Sequence, residues 1–205
     1  MQTGRETNLN LQPKFDYLKL LIIDNYDSFT FNLVQRVEQS GVTDYSLVKN
    51  DQLHRLSEHD FDKVLISPGP GVASEAGELM DFIKRFYQTK AFLGICLGYE
   101  AIADLFGGKL RQLQQPMHGI RNKGFILQSD LVFKGLPSQF YIGHYHSWII
   151  LENEMPPVLQ IIMNDENGLP MAFRHQKYDL VGLLFHPESV MTEFGHEIIL
   201  NWLLS

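Results

Sequence analysis

Apolar residues in the first half of the chain fall into strand-length runs separated by stretches with helical spacing. The first run, residues 18–23, is apolar enough for a strand that is covered on both faces. After a polar loop, Phe29, Leu33 and Val37 share one face of a predicted helix. Further strands are predicted at 45–48, 63–67 and 91–95, a short polar helical turn at 52–59, and helices at 77–87 and 99–106. This alternation predicts βαβ units and a parallel sheet.

From residue 107 onward the apolar runs are shorter, and turn residues separate them. Strand character is found at 108–113, 124–127, 146–150, 158–163 and 171–174. These segments follow one another too closely for intervening helices, so antiparallel pairing is predicted, and Asn167-Gly168 suits a tight hairpin. A last apolar run at 180–185 precedes a helix at about 194–203. We therefore expect one α/β domain over 18–205, with a mixed, mostly parallel sheet and a small antiparallel annex.

Composition narrows the class of protein. The 205 residues are 44% hydrophobic and 20% charged, as in globular proteins, and the net charge of -7 argues against a nucleic-acid partner. No apolar segment reaches about 18 residues, so we expect no membrane span. Residues 1–17 are polar, lack the apolar core of a secretory signal and are expected to form a flexible leader. The single cysteine cannot form an internal disulfide, which fits the reducing cytoplasm.

That cysteine, Cys96, lies between a predicted strand and a predicted helix, with Gly94 and Gly98 two residues away on each side. The pattern G-x-C-x-G is the thiol counterpart of the G-x-S-x-G nucleophile elbow. Its glycines tolerate crowding and positive φ, and the positive end of the following helix favours a thiolate. A buried cysteine after an apolar strand is also common as a plain core residue. The pattern by itself leaves both interpretations open.

Two further segments favour the nucleophile. His186 and Glu188 follow another apolar run and supply a general base and a carboxylate to orient it. The segment Ser67-Pro68-Gly69-Pro70-Gly71 also ends a predicted strand. It is either a simple turn or a wall of exposed peptide N–H groups, as an oxyanion hole requires. Beside a nucleophile strand we favour the oxyanion hole.

Other polar residues suit structural roles better. His118, His144 and His146 make a metal site conceivable, but no cysteine or carboxylate completes a tetrahedral set, and we expect no metal. Asp24 and Asp27 suit local backbone bonds and subunit contact better than acid–base catalysis. No G-x-G-x-x-G or Walker sequence follows a strand, so we expect no cofactor.

Five segments together resemble the class I (triad) glutamine amidotransferases, and most closely the glutaminase subunits of anthranilate and aminodeoxychorismate synthases. The segments are Ile22-Ile23-Asp24-Asn25-Tyr26-Asp27-Ser28-Phe29-Thr30, Ser67-Pro68-Gly69-Pro70-Gly71, Gly94-Ile95-Cys96-Leu97-Gly98, Tyr145-His146-Ser147 and Phe185-His186-Pro187-Glu188-Ser189. The resemblance covers nearly all of residues 19–204 and implies a flavodoxin-like, three-layer α/β fold. It also implies a cytoplasmic enzyme that works with a chorismate-binding synthase subunit.

The resemblance implies a role for each matching residue. Cys96 attacks the side-chain amide of L-glutamine, His186 moves the proton, and Glu188 orients the imidazole. The γ-glutamyl thioester is then hydrolysed, and ammonia passes to the partner subunit. Contacts to glutamine and to the oxyanion are implied for Gly69, Pro70, Gly71, Leu97, Glu100, Ser147 and Trp148. Because proline has no N–H, the oxyanion is expected to bind the other backbone N–H groups of the 69–71 turn and that of residue 97.

The sequence departs from the family pattern at three places. Tyr99 and Glu100 replace a His-Gln pair, and a carboxylate at Glu100 would either repel the substrate carboxylate or attract its ammonium. Residues 118–122 read H-G-I-R-N instead of H-G-K-T-S, and Trp148 replaces a smaller apolar residue. Two other functions stay open. One is a free-standing cysteine hydrolase of γ-glutamyl or peptide bonds, and the other is a non-catalytic amidotransferase subunit.

Overall fold

The computed structural model describes residue 15 and residues 17–205. Apart from Phe15 and Tyr17, the expected leader over 1–17 lies outside the described residues. The strands are β1 (Leu20–Asp24), β2 (Tyr45–Lys49), β3 (Lys63–Ile66), β4 (Ala91–Ile95), β5 (Arg111–Ile126), β6 (Gln139–Ile149), β7 (Leu159–Asp165), β8 (Pro170–His175) and β9 (Leu180–Leu183). The α-helices are α1 (Thr30–Gln39), α2 (Leu79–Phe86), α3 (Leu97–Leu105) and α4 (Gly195–Leu204). Short 3-10 helices occupy Leu53–Arg55, Ala73–Glu75, Leu131–Phe133 and Glu152–Glu154.

The strands form one mixed sheet in the order β2-β1-β3-β4-β9-β8-β7-β5-β6. The first five strands of this order, β2, β1, β3, β4 and β9, pair in parallel. The other four, β8, β7, β5 and β6, continue the sheet with antiparallel pairings. The predicted α/β fold with a mixed sheet is confirmed. The register places Ile66 beside Gly94 and Ile95 beside Leu183, so the carboxyl ends of β3, β4 and β9 lie side by side.

Helices cover both faces of the parallel part of the sheet. Every residue of β9 is buried, as are all but the first residues of β3 and β4. Successive side chains of a strand point to opposite faces, so continuous burial requires a layer on each side. Helix α1 packs on α4, and α2 packs on α3. Of the helices in the described part of the chain, none is long and apolar enough to cross a membrane.

The antiparallel strands differ from the predicted ones in length. The predicted strands 108–113 and 124–127 are the two ends of β5, which is 16 residues long, and 146–150 is only the end of β6. The pairing of β5 with β6 shifts in register between Gln112 and Met117 and again between residues 118 and 120. These shifts mark bulges that interrupt the alternation of side chains. Most side chains of β5 are also exposed, so the apolar pattern that reveals a strand is missing from its middle.

Candidate active site

A cavity of about 430 Å³ lies where the carboxyl ends of the parallel strands meet strands β5 and β6. Open α/β sheets bind their ligands at this edge. Seven of the residues predicted for the site line it: Gly69, Pro70, Gly71, Cys96, Glu100, Ser147 and Trp148. The other predicted residues are buried and are absent from the lining: Leu97, His186 and Glu188.

The turn that carries Cys96 joins β4 directly to α3. Cys96 has φ 51° and ψ -100°, a strained conformation for a residue with a side chain, and its N–H donates to the Leu183 carbonyl at 2.8 Å. Neither Gly94 nor Gly98 has a positive φ. They are needed for space, because a Cβ on Gly94 would collide with the Gly98 carbonyl group, and one on Gly98 would lie 2.9 Å from the Ile66 Cβ. The cysteine itself therefore takes the strained position.

The Cys96 thiol is protonated at rest. Its side chain is buried, and burial raises its pKa well above the usual range, with further increases from Glu100, Glu188 and Asp27. The Leu97 N–H, at the start of α3, lowers this pKa but by less. The start of α3 therefore favours a thiolate, as expected, but the loss of hydration on burial is the larger effect and keeps the thiol protonated. Any attack by this sulfur needs a base that removes its proton.

His186 and Glu188 form a buried pair just beyond β9. The His186 Nδ1 lies 2.7 Å from the Glu188 Oε1, and only 2% of each residue is exposed. Because a carboxylate oxygen accepts, Nδ1 carries a proton, and Nε2 of a neutral ring is free to take another. Nε2 is buried and has no hydrogen-bond partner within the described chain, Cys96 included. The rings of Phe29 and Tyr145 pack against the imidazole of His186, with ring centroids 5.4 and 5.0 Å from its own, and fix its plane.

The turn at residues 67–71 is held by a residue that the sequence analysis did not assign, Asn25. Its Nδ2 donates to the Ser67 carbonyl at 2.8 Å, and its backbone N–H donates to the Ser67 Oγ at 2.9 Å. A Cβ on Gly69 would collide with Leu97 and with Asn25, so the turn, the β1 loop and α3 meet at this glycine. The sequence offered two signals for Asn25, since it directly follows a buried strand and belongs to the 22–30 segment that carries the family resemblance.

The opposite wall of the cavity comes from β5 and β6. His118 Nε2 lies 3.3 Å from the Ser147 Oγ, and the Tyr145 hydroxyl lies 3.2 Å from the Ser189 Oγ, one residue after Glu188. The first contact holds β5 and β6 together, and the second joins this wall to the segment with the His186–Glu188 pair. Sequence reasoning did not place these lining residues in the site: Asp27, Gln112, His118, Tyr145 and His146.

His144 and His146 form a hydrogen-bonded pair under this wall. The His146 Nδ1 lies 3.0 Å from the Trp148 carbonyl, which can only accept, so Nδ1 carries the proton. The His146 Nε2 then accepts from the His144 Nδ1 at 3.1 Å. Burial lowers the pKa of His144 to about 4 and that of His146 to about 3, so both rings are neutral. Throughout residues 17–205, no group of three histidine, cysteine or acidic side chains is arranged to hold a metal ion.

Glu100 lies in the first turn of α3, where its N–H donates to the Cys96 carbonyl at 3.0 Å. It lines the cavity, yet only 2% of the residue is exposed. Burial raises its pKa to about 8, so at neutral pH it is a carboxylic acid and not the carboxylate that the sequence suggested. Its neighbour Tyr99 is a core residue that donates to the Pro170 carbonyl at 3.3 Å and packs on Phe173.

Comparison with known families decides where this arrangement belongs. The sequence profile of the family "Glutamine amidotransferase class-I" matches residues 21–205, which is nearly the whole chain. The chain belongs to this family. The resemblance inferred from the five sequence segments is thereby confirmed.

Relatives of this amidotransferase include components of two synthases. It is 42% identical over 186 residues to "Anthranilate synthase component 2" of Lactococcus lactis, covering 89% of this chain and 92% of that protein. It is 37% identical over 187 residues to "Aminodeoxychorismate synthase component 2" of Escherichia coli K12, covering 90% and 98%. The crystal structure of a glutamine amidotransferase from Thermotoga maritima has the same fold, with a TM-score of 0.70 and 16% identity. The match covers 84% of this chain and 76% of that one.

Proposed function

We propose that this amidotransferase is the glutaminase subunit of an anthranilate or aminodeoxychorismate synthase. Residues 18–205 would form its single catalytic domain, and a cytoplasmic location would keep Cys96 reduced. The observation that carries the proposal is the strained Cys96, which faces a cavity shared with the 69–71 turn and lies beside the strand end that bears the buried His186–Glu188 pair. A nucleophile, a base and an orienting acid are the parts that acyl transfer from an amide requires.

In the proposed reaction the Cys96 sulfur attacks the side-chain amide carbon of L-glutamine while the thiol proton moves to His186 Nε2. The resulting oxyanion accepts hydrogen bonds from backbone N–H groups, for which Leu97 and the 69–71 turn are the candidates. The Leu97 N–H already acts on the sulfur, since it lowers the thiol pKa. The C–N bond then breaks, the His186 proton passes to the leaving nitrogen, and ammonia and a γ-glutamyl thioester are formed.

Hydrolysis of the thioester returns the enzyme to its starting state. Water attacks the thioester carbon and gives a proton to His186, the C–S bond breaks, and the proton returns to sulfur as glutamate leaves. Glu188 stabilises the imidazolium that forms in both halves of the reaction. The burial of Glu188 supports this role, because a carboxylate withdrawn from water interacts strongly with a charged ring.

The ammonia would be used by a chorismate-binding synthase subunit. The names of the relatives support this partner, since both are component 2 of a synthase.

The test is a synthase assay in which the chain is combined with a chorismate-binding component and given either L-glutamine or ammonium. The Cys96→Ser variant should lose glutamine-dependent synthesis and keep ammonium-dependent synthesis, because the partner performs the second reaction. The control is Ser46→Ala, an exposed position on the edge strand β2, which should keep both glutamine-dependent and ammonium-dependent synthesis. Glutaminase activity that needs no partner and is not altered by one would favour the free-standing hydrolase. Absence of glutamine-dependent activity in the unmodified complex would favour the non-catalytic subunit.

A further inference from the structure

Glu100 is a buried acid without a partner inside the candidate site. Its Oε2 is buried and forms no hydrogen bond to any part of the chain that the structure describes. No basic side chain among residues 17–205 forms an ion pair with it, although six other ion pairs are present. A buried polar atom without a partner costs free energy, and at the wall of a cavity a ligand or a water molecule can supply the missing bond.

The surroundings of Glu100 disfavour a negative charge. The titratable side chains that share the cavity or the helix with Glu100 are Asp27, Cys96, Tyr99, Asp104, His118, Tyr145 and His146, and of these Asp104 is exposed to solvent. Glu188 and Glu100 both raise the pKa of the Cys96 thiol, so Glu188 is a further acidic group close to this site. The neighbouring 3-10 helix and α2 bring Glu75, Asp81, Lys84 and Arg85, which are exposed to solvent. No lysine or arginine is among the residues that line the cavity with Glu100. Only the N-terminal turn of α3 favours a carboxylate, and burial outweighs it.

Glu100 lies about one helical turn beyond Cys96, a rise on the order of 5 Å, and both residues line the same cavity. The side-chain amide carbon of glutamine is separated from its α-carbon by three C–C bonds, or about 4 Å. With the amide carbon at the sulfur, the α-amino and α-carboxylate groups therefore come within reach of the Glu100 side chain.

We propose that Glu100 is a specificity-determining residue that binds glutamine as a neutral carboxylic acid and donates its O–H to the substrate α-carboxylate. This inference rests on the proposed function. A neutral acid supplies one donor and one acceptor, as an amide side chain does, and a bond from its O–H to a carboxylate is charge-assisted. An ionised Glu100 would have no proton to donate and would repel the carboxylate. Glutamine binding is thus lost as Glu100 ionises.

The test measures glutamine binding by calorimetry between pH 6 and pH 9.5. The Cys96→Ser background prevents turnover and removes the titrating thiol. With Glu100 present, affinity should be about tenfold lower at pH 9 than at pH 7, since the group titrates at about 8. In the matched Cys96→Ser, Glu100→Gln variant the change should be less than about threefold, because an amide has no charge to acquire. The amino group of glutamine itself titrates equally in both variants, so the difference between them reports Glu100.

Three results would overturn this inference. Identical pH profiles in the two variants would remove Glu100 from the substrate contacts while leaving the proposed function intact. Affinity that rises with pH only when Glu100 is present would make it an ionised partner of the substrate ammonium. Absence of glutamine binding in both variants at pH 7, together with absence of glutaminase activity in the unmodified complex, would overturn the proposed function as well.

Discussion

At the scale of single residues, the His186–Glu188 pair is separated from water while Cys96 lines the cavity. Burial strengthens the interaction of the carboxylate with a ring that becomes charged, and the ring contacts of Phe29 and Tyr145 hold the imidazole in place. In the proposed mechanism this pair receives the proton of a thiol that does not ionise on its own.

The first prediction concerns the charge of Glu188. Glu188→Gln keeps the shape of the side chain but cannot stabilise an imidazolium, so kcat for glutamine hydrolysis should fall by about 10²- to 10⁴-fold with little change in KM. Steady-state kinetics of the complex measure both constants. The control is Glu193→Gln, a half-exposed carboxylate nearby that pairs with Arg121. A fall of less than about tenfold in the Glu188 variant would remove the carboxylate from the mechanism.

The sequence brought the candidate residues into view but did not show their charges. The G-x-C-x-G pattern and the downstream His-x-Glu led to Cys96, His186 and Glu188, because few other residue types can provide a nucleophile and its base. In the structure Cys96 lines the cavity, and the other two form a buried pair beyond β9, the strand next to β4. The protonation of Cys96 and Glu100 depends on how much protein surrounds them, and burial is a property of the folded chain. A sequence shows a thiol and a carboxyl group without showing that both are neutral.

At the scale of elements, the turn from β4 into α3 is the most constrained part of the site. A strand and a helix meet there at van der Waals distance, and the two glycines provide the space for that approach. Only Cys96, between them, takes a positive φ.

The second prediction follows from this close approach. Gly94→Ala should lower the free energy of unfolding by about 3 kcal/mol or more, because the new Cβ meets backbone that cannot move aside. The control is Gly135→Ala, where φ is 79° and no atom lies within 4 Å of the new Cβ, so only the backbone conformation costs about 1 to 2 kcal/mol. Urea denaturation compares the two variants. Equal losses would mean that β4 and α3 separate without cost.

The parallel half of the fold was easier to predict than the antiparallel half, for a physical reason. Strands covered on both faces are uninterrupted apolar runs, and 91–95 was predicted with the bounds that β4 has. In β6 the inward positions include His144 and His146, and buried histidines hide the alternation that identifies a strand. Their burial depends on the hydrogen bonds between them and to the Trp148 carbonyl, which no local pattern reveals.

At the scale of the whole molecule, buried titratable groups make stability depend on pH in two opposite ways. His144 and His146 have pKa values of about 4 and 3 in the folded chain, below the ordinary 6.5. Below about pH 6.5 the unfolded chain therefore binds more protons, and stability falls on acidification. Glu100 has a folded pKa of about 8, above the ordinary 4.5. Between pH 4.5 and pH 8 the folded chain binds more protons at Glu100 than the unfolded chain does. The contribution of Glu100 to the free energy of unfolding therefore falls as pH rises.

The third prediction isolates the Glu100 contribution. Glu100→Gln should be more stable than the natural chain by an amount that grows from near zero at pH 4 to a plateau above about pH 8, on the order of 5 kcal/mol. Urea midpoints of the two proteins at several pH values give the difference directly. A difference that does not vary with pH would mean that Glu100 is ionised in the folded chain throughout.

The central claim is that Cys96 is the nucleophile of a glutamine site, and covalent labelling tests it most directly. The reagent is a glutamine analogue that carries an electrophilic carbon in place of the side-chain amide carbon. Cys96 is the only cysteine in the chain, so mass spectrometry of digested protein locates a thiol label without ambiguity. We predict a single label on the peptide that contains Cys96, formed more slowly when L-glutamine is present. Absence of a label, a label on another residue, or a labelling rate that L-glutamine does not change would contradict the account.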